Sequence, residues 1–251
     1  MSNLRFRQQL LAKQTLIGTL VSIPSAEIVE LLSFTGFDWI FLDAEHGAFG
    51  PTEIVALLQA AHDCPCLVRI PGPDEAWIKK ILDAGAAGII VPQISTEQQA
   101  RDVIQFAKYP PQGKRGVGLG RAHKYGRDFA AYLQNANQET VIVLQAENQQ
   151  ALDNIDAIAA VDGVDAILIG PYDLSASLGH TGEVAHATVQ AAIQKISQVC
   201  QSHDTRLGIF GVCAADVAPY KQLGFTLLTV GVDSLFIEAS ASSALSDLRA
   251  G

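Results

Sequence analysis

Eight short apolar, β-branched runs with helical patterns between them predict an α/β chain closed into a (β/α)8, or TIM, barrel. Two further observations favour the barrel over a doubly wound open sheet. The 251 residues suit one large barrel, so residues 1–251 are read as a single domain. The side chains able to do chemistry cluster just after the strands, and in a barrel those positions all face one mouth.

Residues 4–13 form a short helix ahead of the barrel, with Leu4, Leu10 and Leu11 on its apolar side. The run LIGTLVSI (16–23) is the first strand. Ser25 caps a helix in which Ile28, Val29, Leu31 and Leu32 recur at burial spacing. The second strand, DWIFL (38–42), runs into Asp43, Ala44, Glu45, His46 and Gly47. Pro51 opens a helix over 52–62, where its missing N–H is harmless. CLVRI (66–70) is the third strand, with Arg69 beside its end and Pro71, Gly72 and Pro73 closing it. Asp74 caps a helix that runs to Asp83. GIIV (88–91) is the fourth strand, ending at Pro92 and Gln93, and a helix follows over 96–107.

The stretch 109–126 reads as irregular, Gly-rich and basic, and 128–137 as helical. TVIVL (140–144) and DAILI (165–169) are the fifth and sixth strands, with a helical pattern at 148–160 between them. A polar loop (180–187) leads to a long helix over 188–203. The seventh strand is RLGI (206–209), and a helix over 214–223 ends at Gly224. The eighth is TLLTV (226–230), followed by Gly231, Val232 and Asp233. The tail, 234–249, is helical and rich in Ala, Leu and Ser.

Bulk properties narrow the partners. Hydrophobic residues make up 49% and mean hydropathy is +0.22, so a large core is available and disorder is not expected. A net charge of −9 and a pI near 5.0 argue against a nucleic-acid or acidic-membrane surface. Cys64, Cys66, Cys200 and Cys213 form no CxxC pair and no metal-like spacing, which fits reduced thiols of a cytoplasmic protein. The N-terminus lacks the apolar core of a signal peptide, and no run approaches the roughly 18 apolar residues of a membrane span.

The fifth and sixth strands each break into a carboxylate: Glu147 two residues beyond Gln145, and Asp173 after Gly170, Pro171 and Tyr172. If the two strands are parallel, both carboxylates leave the same end of one sheet. Together they can hold a divalent cation through oxygen, with Mg²⁺ or Mn²⁺ the best matches and Co²⁺ a further option. Asp43, Glu45, His46, Arg69, Gln93, Gln145 and Tyr172 would converge on the same mouth. Singly, each has a plainer reading. Glu147 could favour a helix N-terminus, Asp173 could cap 174–178, Arg69 could serve an ion pair, and Glu45 with His46 could form a solvated turn. Lys79, Lys80 and Lys108 read as helical and no lysine lies inside a strand, which argues against a covalent lysine mechanism. His123 and His180, in loops near the mouth, and Lys114 and Arg115, in the basic loop, are secondary candidates for substrate contact.

The segments LDAEHG, VRIPG, LDAGAAGIIVPQ, YPPQGKRGVG, QAEN and GPYDLSASLG resemble, in order, the HpcH/HpaI family of class II pyruvate aldolases. The likeness runs from Gly18 to about Asp233, and EHG and GPYDLSASLG are its most specific pieces. It implies that Glu147 and Asp173 bind the metal, that His46 is the general base and that Arg69 stabilises an enolate. It further implies that Gln145 contacts substrate and that the backbone N–H groups of Tyr172 and Asp173 meet the pyruvate carboxylate. Asp83 matches the carboxylate that supports the base, and Asp43 lies in the family's DxEH segment. Members typically carry a smaller residue at the Tyr172 position. Because Asp83 ends a helix at the far end of the barrel, the resemblance implies that it reaches His46 from a neighbouring chain. A homo-oligomer follows, of hexameric type, with a C-terminal helix exchanged between subunits.

The expected activity is cleavage or formation of 4-hydroxy-2-oxo acids, giving pyruvate or hydroxypyruvate plus an aldehyde through a metal-stabilised enolate. A carbon–carbon lyase of the citryl- or malyl-CoA type shares that logic, but a CoA site wants a longer chain and more basic surface. A barrel that binds metal and keto acid without catalysis has no use for His46 and Arg69. A phosphate-binding isomerase wants a Gly-rich loop after the seventh or eighth strand, and Phe210-Gly211-Val212 and Gly231-Val232-Asp233 match it poorly.

Overall fold

Eight parallel strands pair in sequence order, and the last closes onto the first. In this computed structural model, which describes residues 3–250, they are β1 (Leu16–Val21), β2 (Trp39–Asp43), β3 (Cys66–Arg69), β4 (Gly88–Val91), β5 (Val141–Ala146), β6 (Ala166–Ile169), β7 (Arg206–Gly211) and β8 (Leu227–Val232). The helices are α1 (Asn3–Leu11), α2 (Ala26–Ser33), α3 (Pro51–Ala60), α4 (Glu75–Asp83), α5 (Glu97–Ala107), α6 (Phe129–Glu139), α7 (Gln149–Asp153), α8 (Ile155–Ala159), α9 (Pro171–Ser177), α10 (Ala187–Ser202), α11 (Ala214–Gln222) and α12 (Asp233–Ala250).

Strand side chains alternate in and out, and the two sets pack in separate layers. Ile40, Leu42, Val68, Ile89, Ile142, Leu144 and Ile167 face out and pack with the helices in one core. Trp39, Phe41, Leu67, Ile90, Val143 and Leu168 face in and fill the barrel. The same alternation decides the mouth. Asp43 is the next inward residue after Phe41, Arg69 after Leu67 and Gln145 after Val143, so the interior changes from apolar to polar at one level.

The floor is closed by α1. Its buried residues are Phe6 and Leu10, which join the inner core; Leu4 and Leu11 are only half-buried. The short helix is thus rotated from its expected phase, with Phe6 and Leu10 one i, i+4 step apart. Arg7 forks onto Asp165 ahead of β6, with Nη2 2.7 Å from Oδ1 and Nε 3.2 Å from Oδ2. Asp165 also accepts from the Ile142 amide at 2.9 Å.

Several boundaries differ from the sequence reading. β1 stops at Val21 because the amides of Ser22 and Ile23 turn onto the buried carboxylate of Asp233, at 3.0 and 2.9 Å. β5, β7 and β8 run to Ala146, Gly211 and Val232, so Gln145 lies inside a strand. The single helix expected at 148–160 is two, α7 and α8, broken at Asn154, whose side chain donates to the Ser95 carbonyl at 2.8 Å. The loop before α6 contains a cis Pro110–Pro111 bond and a 3-10 turn, Arg121–Gly126, tied to the floor side by Arg121 donating to the Ala84 carbonyl at 2.9 Å. In α12 only Asp233 is buried, while Leu235, Phe236, Ile237, Leu245 and Leu248 are exposed.

Candidate active site

β2 and β3 put Asp43 and Arg69 side by side in register. The pair is buried and bidentate, with Nε to Oδ1 at 2.9 Å and Nη2 to Oδ2 at 2.7 Å. Asp43 Oδ1 also accepts from the amides of Glu45 and His46 at 3.1 and 3.3 Å. One carboxylate therefore fixes both the guanidinium and the turn that carries His46. Arg69 further meets Glu45 Oε2 at 3.2 Å and Gln145 Oε1 at 3.5 Å, and its guanidinium lies 5.3 Å from the centre of the Phe41 ring. The His46 side chain is 66% exposed and stands over the opening, 3.8 Å from Glu45 Oε2.

Glu147 is buried just past β5. Its Oε1 accepts from the Gln93 amide at 2.7 Å, and Oε2 accepts from the Gln145 side-chain amide. Gln93 reaches it from the end of β4 in the left-handed region, at φ 56°, a conformation that costs a non-glycine residue free energy and recurs at functional sites. A Cβ at Gly170 would lie 2.8 Å from both Gln145 Nε2 and Glu147 Oε2. Glycine at the end of β6 is what lets those two side chains lie against it. Burial, reinforced by the facing carboxylates of Asp173 and Glu45, pushes the Glu147 carboxyl up to about 7, against the pull of the Gln93 amide. Burial also raises Glu45, against the attraction of Arg69.

Asp173 sits in the first turn of α9. The helix starts at Pro171 with Gly170 as its cap, so Asp173 is not the N-cap considered from sequence. Its carboxylate joins Glu45 and Glu147 around one acidic space. Arg69 is the adjoining cation, and it is already held by Asp43. An all-oxygen, net-negative donor set of this kind fits a hard divalent cation.

The cavity beneath has a volume of about 260 Å³. Its lining mixes polar His46, Arg69, Gln145 and Asp173 with apolar or aromatic Leu20, Phe41, Leu168, Tyr172 and Phe210. The Tyr172 and Phe210 rings are 6.4 Å apart. Asp43 does not line the cavity; it holds what does.

Other sequence candidates lie elsewhere. Asp83 ends α4 on the floor side, where Arg115 Nη2 meets its Oδ1 at 2.6 Å, so one chain does not bring Asp83 to His46. Arg115 is buried, with its guanidinium carbon 4.7 Å from the Tyr109 ring centre and 5.9 Å from that of Tyr132. Lys114 lies 4.9 Å over the Phe106 ring. His123 is buried and organises its own loop, taking the Gly126 amide on Nδ1 at 2.9 Å, with the Gly120 amide 2.8 Å from Nε2. Within the chain, none of these four lines the cavity.

His180 does not line it either. It stacks on His186 at 3.5 Å and 19°, with Glu183 close enough that ligand atoms of the three lie within 4.8 Å of one another. Near-parallel rings do not aim their nitrogens at one point, so the trio is a polar cluster on the rim rather than a preformed cation site. Lys108 is the C-cap of α5, not helical interior, and its Nζ donates to the carbonyls of Asn137 and Thr140 at 2.8 Å each. Burial pulls its pKa down to about 8. Among the described residues, no lysine lines the cavity. Sequence reasoning did not single out Phe210, although it is the inward residue two places beyond Gly208 on β7. It also left the Gln93 amide and Gly170 without a role, because close backbone approaches have no side-chain signature.

Comparison with known proteins bears on this geometry. The family profile described as HpcH/HpaI aldolase/citrate lyase matches residues 17–239. A 5-keto-4-deoxy-D-glucarate aldolase of Escherichia coli O6:H1 is 37% identical over 246 residues, covering 97% of this chain and 95% of that protein. A solved HpcH/HpaI aldolase/citrate lyase family protein from Burkholderia cenocepacia J2315 superposes with a TM-score of 0.94 at 30% identity, over 98% of this chain and 99% of that one. The HpcH/HpaI aldolase from Desulfitobacterium hafniense DCB-2 gives 0.90 at 30% identity, over 96% and 95%.

Proposed function

The chain belongs to the HpcH/HpaI aldolase/citrate lyase family, and we propose that its mouth cavity cleaves 4-hydroxy-2-oxo acids to pyruvate, or hydroxypyruvate, and an aldehyde, and joins them in reverse. It is a carbon–carbon lyase of the aldolase kind. The observation that carries the reading is the acidic space of Glu45, Glu147 and Asp173 set against an Arg69 locked by Asp43.

Glu147 and Asp173 would hold a divalent cation, Mg²⁺ or Mn²⁺ best and Co²⁺ next. Bound there, it supplies Lewis-acid polarisation of the 2-oxo group. The remaining work falls to the chain. The first-turn amides of α9, at Tyr172 and Asp173, have no acceptor within the helix and take the substrate carboxylate. Gln145 orients the 2-oxo end. His46 accepts the proton of the C4 hydroxyl, since imidazole is the side chain suited to exchanging protons near neutral pH. The C3–C4 bond then breaks, its electron pair passes into the enolate, and the aldehyde departs. Arg69, with no freedom to swing away, donates to the developing oxyanion. Asp43 acts through Arg69 rather than on substrate. The proton finally returns to C3 and gives pyruvate.

Asp83 supports His46 from a neighbouring copy. A homo-oligomer of hexameric type supplies that copy, and the exposed apolar residues of α12 support an exchanged C-terminal helix. Four free cysteines support a cytoplasmic setting, and among the described residues no helix is long and apolar enough to cross a membrane. One barrel domain over 1–251 is the working unit. The aldolase reading is preferred to a CoA-thioester lyase because the 37% identical relative is named an aldolase, and to a non-catalytic barrel because His46 and Arg69 share the cavity.

Pyruvate release from 4-hydroxy-2-oxo acids tests the reading, using protein stripped with EDTA and then given Mg²⁺, Mn²⁺ or Co²⁺, beside Glu147→Ala. Turnover restored by metal and absent in the variant is expected. Turnover that survives both EDTA and the substitution would overturn it.

A further inference from the structure

Tyr172 and Phe210 stand between two cavities. The inner one is the site just described. The outer one, about 380 Å³, lies between the loop before α10 and helix α11, and Pro171, Tyr172 and Phe210 line both. Val184, Asp216 and Tyr220 form part of its far wall.

Its polar groups are already engaged. Gln190 Nε2 donates to the Val184 carbonyl at 2.9 Å and lies 3.1 Å from the Tyr220 hydroxyl. Asp216 Oδ2 accepts from the Cys213 amide at 3.1 Å. Among the described residues lining either cavity, Arg69 is the one lysine or arginine, and Asp43 and Glu45 hold it. Within the chain, the described residues of the outer cavity therefore offer no cation to a second carboxylate, and Asp216 would repel one. Its apolar walls and the two rings at its entrance suit an uncharged hydrocarbon or aryl group.

We propose that the outer cavity is the subsite for the tail of the aldehyde, and that this enzyme prefers aldehydes whose tail is apolar or aromatic and uncharged. The inference rests on the aldolase reading and names its acceptor class. In the joining direction the enolate C3 attacks the aldehyde carbon. A C3–C4 bond forms, and the aldehyde oxygen takes the proton from His46. The tail then runs along Tyr172 and Phe210, which line both cavities, into the outer one, and the reacting atoms stay in the inner one.

Two measurements on the full-length protein with Mn²⁺ separate the layers. Exchange of pyruvate methyl protons for deuterium, followed by NMR without any aldehyde, reports enolate formation alone. Aldol addition with phenylacetaldehyde and with succinic semialdehyde then reports the acceptor. The expected kcat/KM favours phenylacetaldehyde by about tenfold or more. Asp216→Asn keeps an oxygen for the Cys213 amide and removes the charge. It should raise use of succinic semialdehyde several-fold and leave deuterium exchange unchanged. Phe210→Ala should erode the preference for the aryl aldehyde. Normal exchange with succinic semialdehyde preferred, or with a ratio indifferent to Asp216→Asn, would overturn the subsite. Absent exchange would remove the aldolase reading beneath it, and the subsite with it.

Discussion

The floor and the mouth of the barrel both bury carboxylates, but they balance them differently. At the floor Asp165 faces a forked Arg7 and the Ile142 amide, under a plug of Phe6 and Leu10. Anion and cation are matched there, and the contact closes the barrel. At the mouth the single Arg69 serves both Asp43 and Glu45, with the carboxylates of Glu147 and Asp173 set beside them. That arrangement is poor for stability on its own, because like charges repel in a half-dry space. A divalent cation held there, as proposed, would make it favourable. The floor is built to stay folded, and the mouth is built to bind.

The largest contrast is in catalysis. Arg69→Lys keeps the charge but cannot fork onto Asp43, so turnover should fall on the order of 10²- to 10³-fold, while circular dichroism shows the barrel intact. A variant with near-normal kcat would remove Arg69 from the chemistry. At the floor the expectation inverts. Arg7→Ala leaves Asp165 buried without its cation and should lower urea-denaturation stability by about 3 kcal/mol, with turnover per folded molecule little changed.

Acidity separates the two ends next. Burial holds the Glu147 proton up to about pH 7 in the folded chain, where the ordinary value is 4.5. The native state thus binds more protons than the unfolded chain between those values. Its contribution to stability is fully present below 4.5 and is lost as pH rises through 7. If a cation at Glu147 takes the place of that proton, the rise in Tm on adding Mn²⁺ should grow from pH 5 to pH 7.5, and Glu147→Gln should abolish the trend. A metal-induced Tm shift independent of pH would contradict the assignment. The smallest expected effect is at Gly170→Ala, whose methyl must displace Gln145 and Glu147. It should cost about 1–2 kcal/mol of stability and weaken Mn²⁺ binding in the same variant.

Much of this was legible in the sequence, for a reason of geometry. Asp43, Arg69 and Gln145 were readable as mouth residues because each lies at or just past the end of an apolar run, and the period-two alternation seen in the fold then turns them inward beyond Phe41, Leu67 and Val143. Glu147 and Asp173 were readable as carboxylates just beyond two apolar runs. The gaps have causes too. Arg115 and His123 were candidates for the mouth because a Gly-rich basic loop looks the same whether it binds an anion or folds onto its own barrel; here Asp83 and two tyrosine rings take Arg115 to the floor. Phe6 was overlooked because a nine-residue helix gives too few turns to fix its phase. The grip of Asp233 on Ser22 and Ile23 joins residues more than 200 positions apart, and no local pattern announces it.

The claim that the mouth is an incomplete charge balance finished by a cation is tested most directly by Mn²⁺ binding. Free Mn²⁺ would be titrated by EPR against the wild-type protein and Glu147→Gln at pH 7.5. One Mn²⁺ per chain in the wild type, with affinity reduced at least about 100-fold in the variant, is predicted. Equal binding by the two proteins, or none by either, would contradict it.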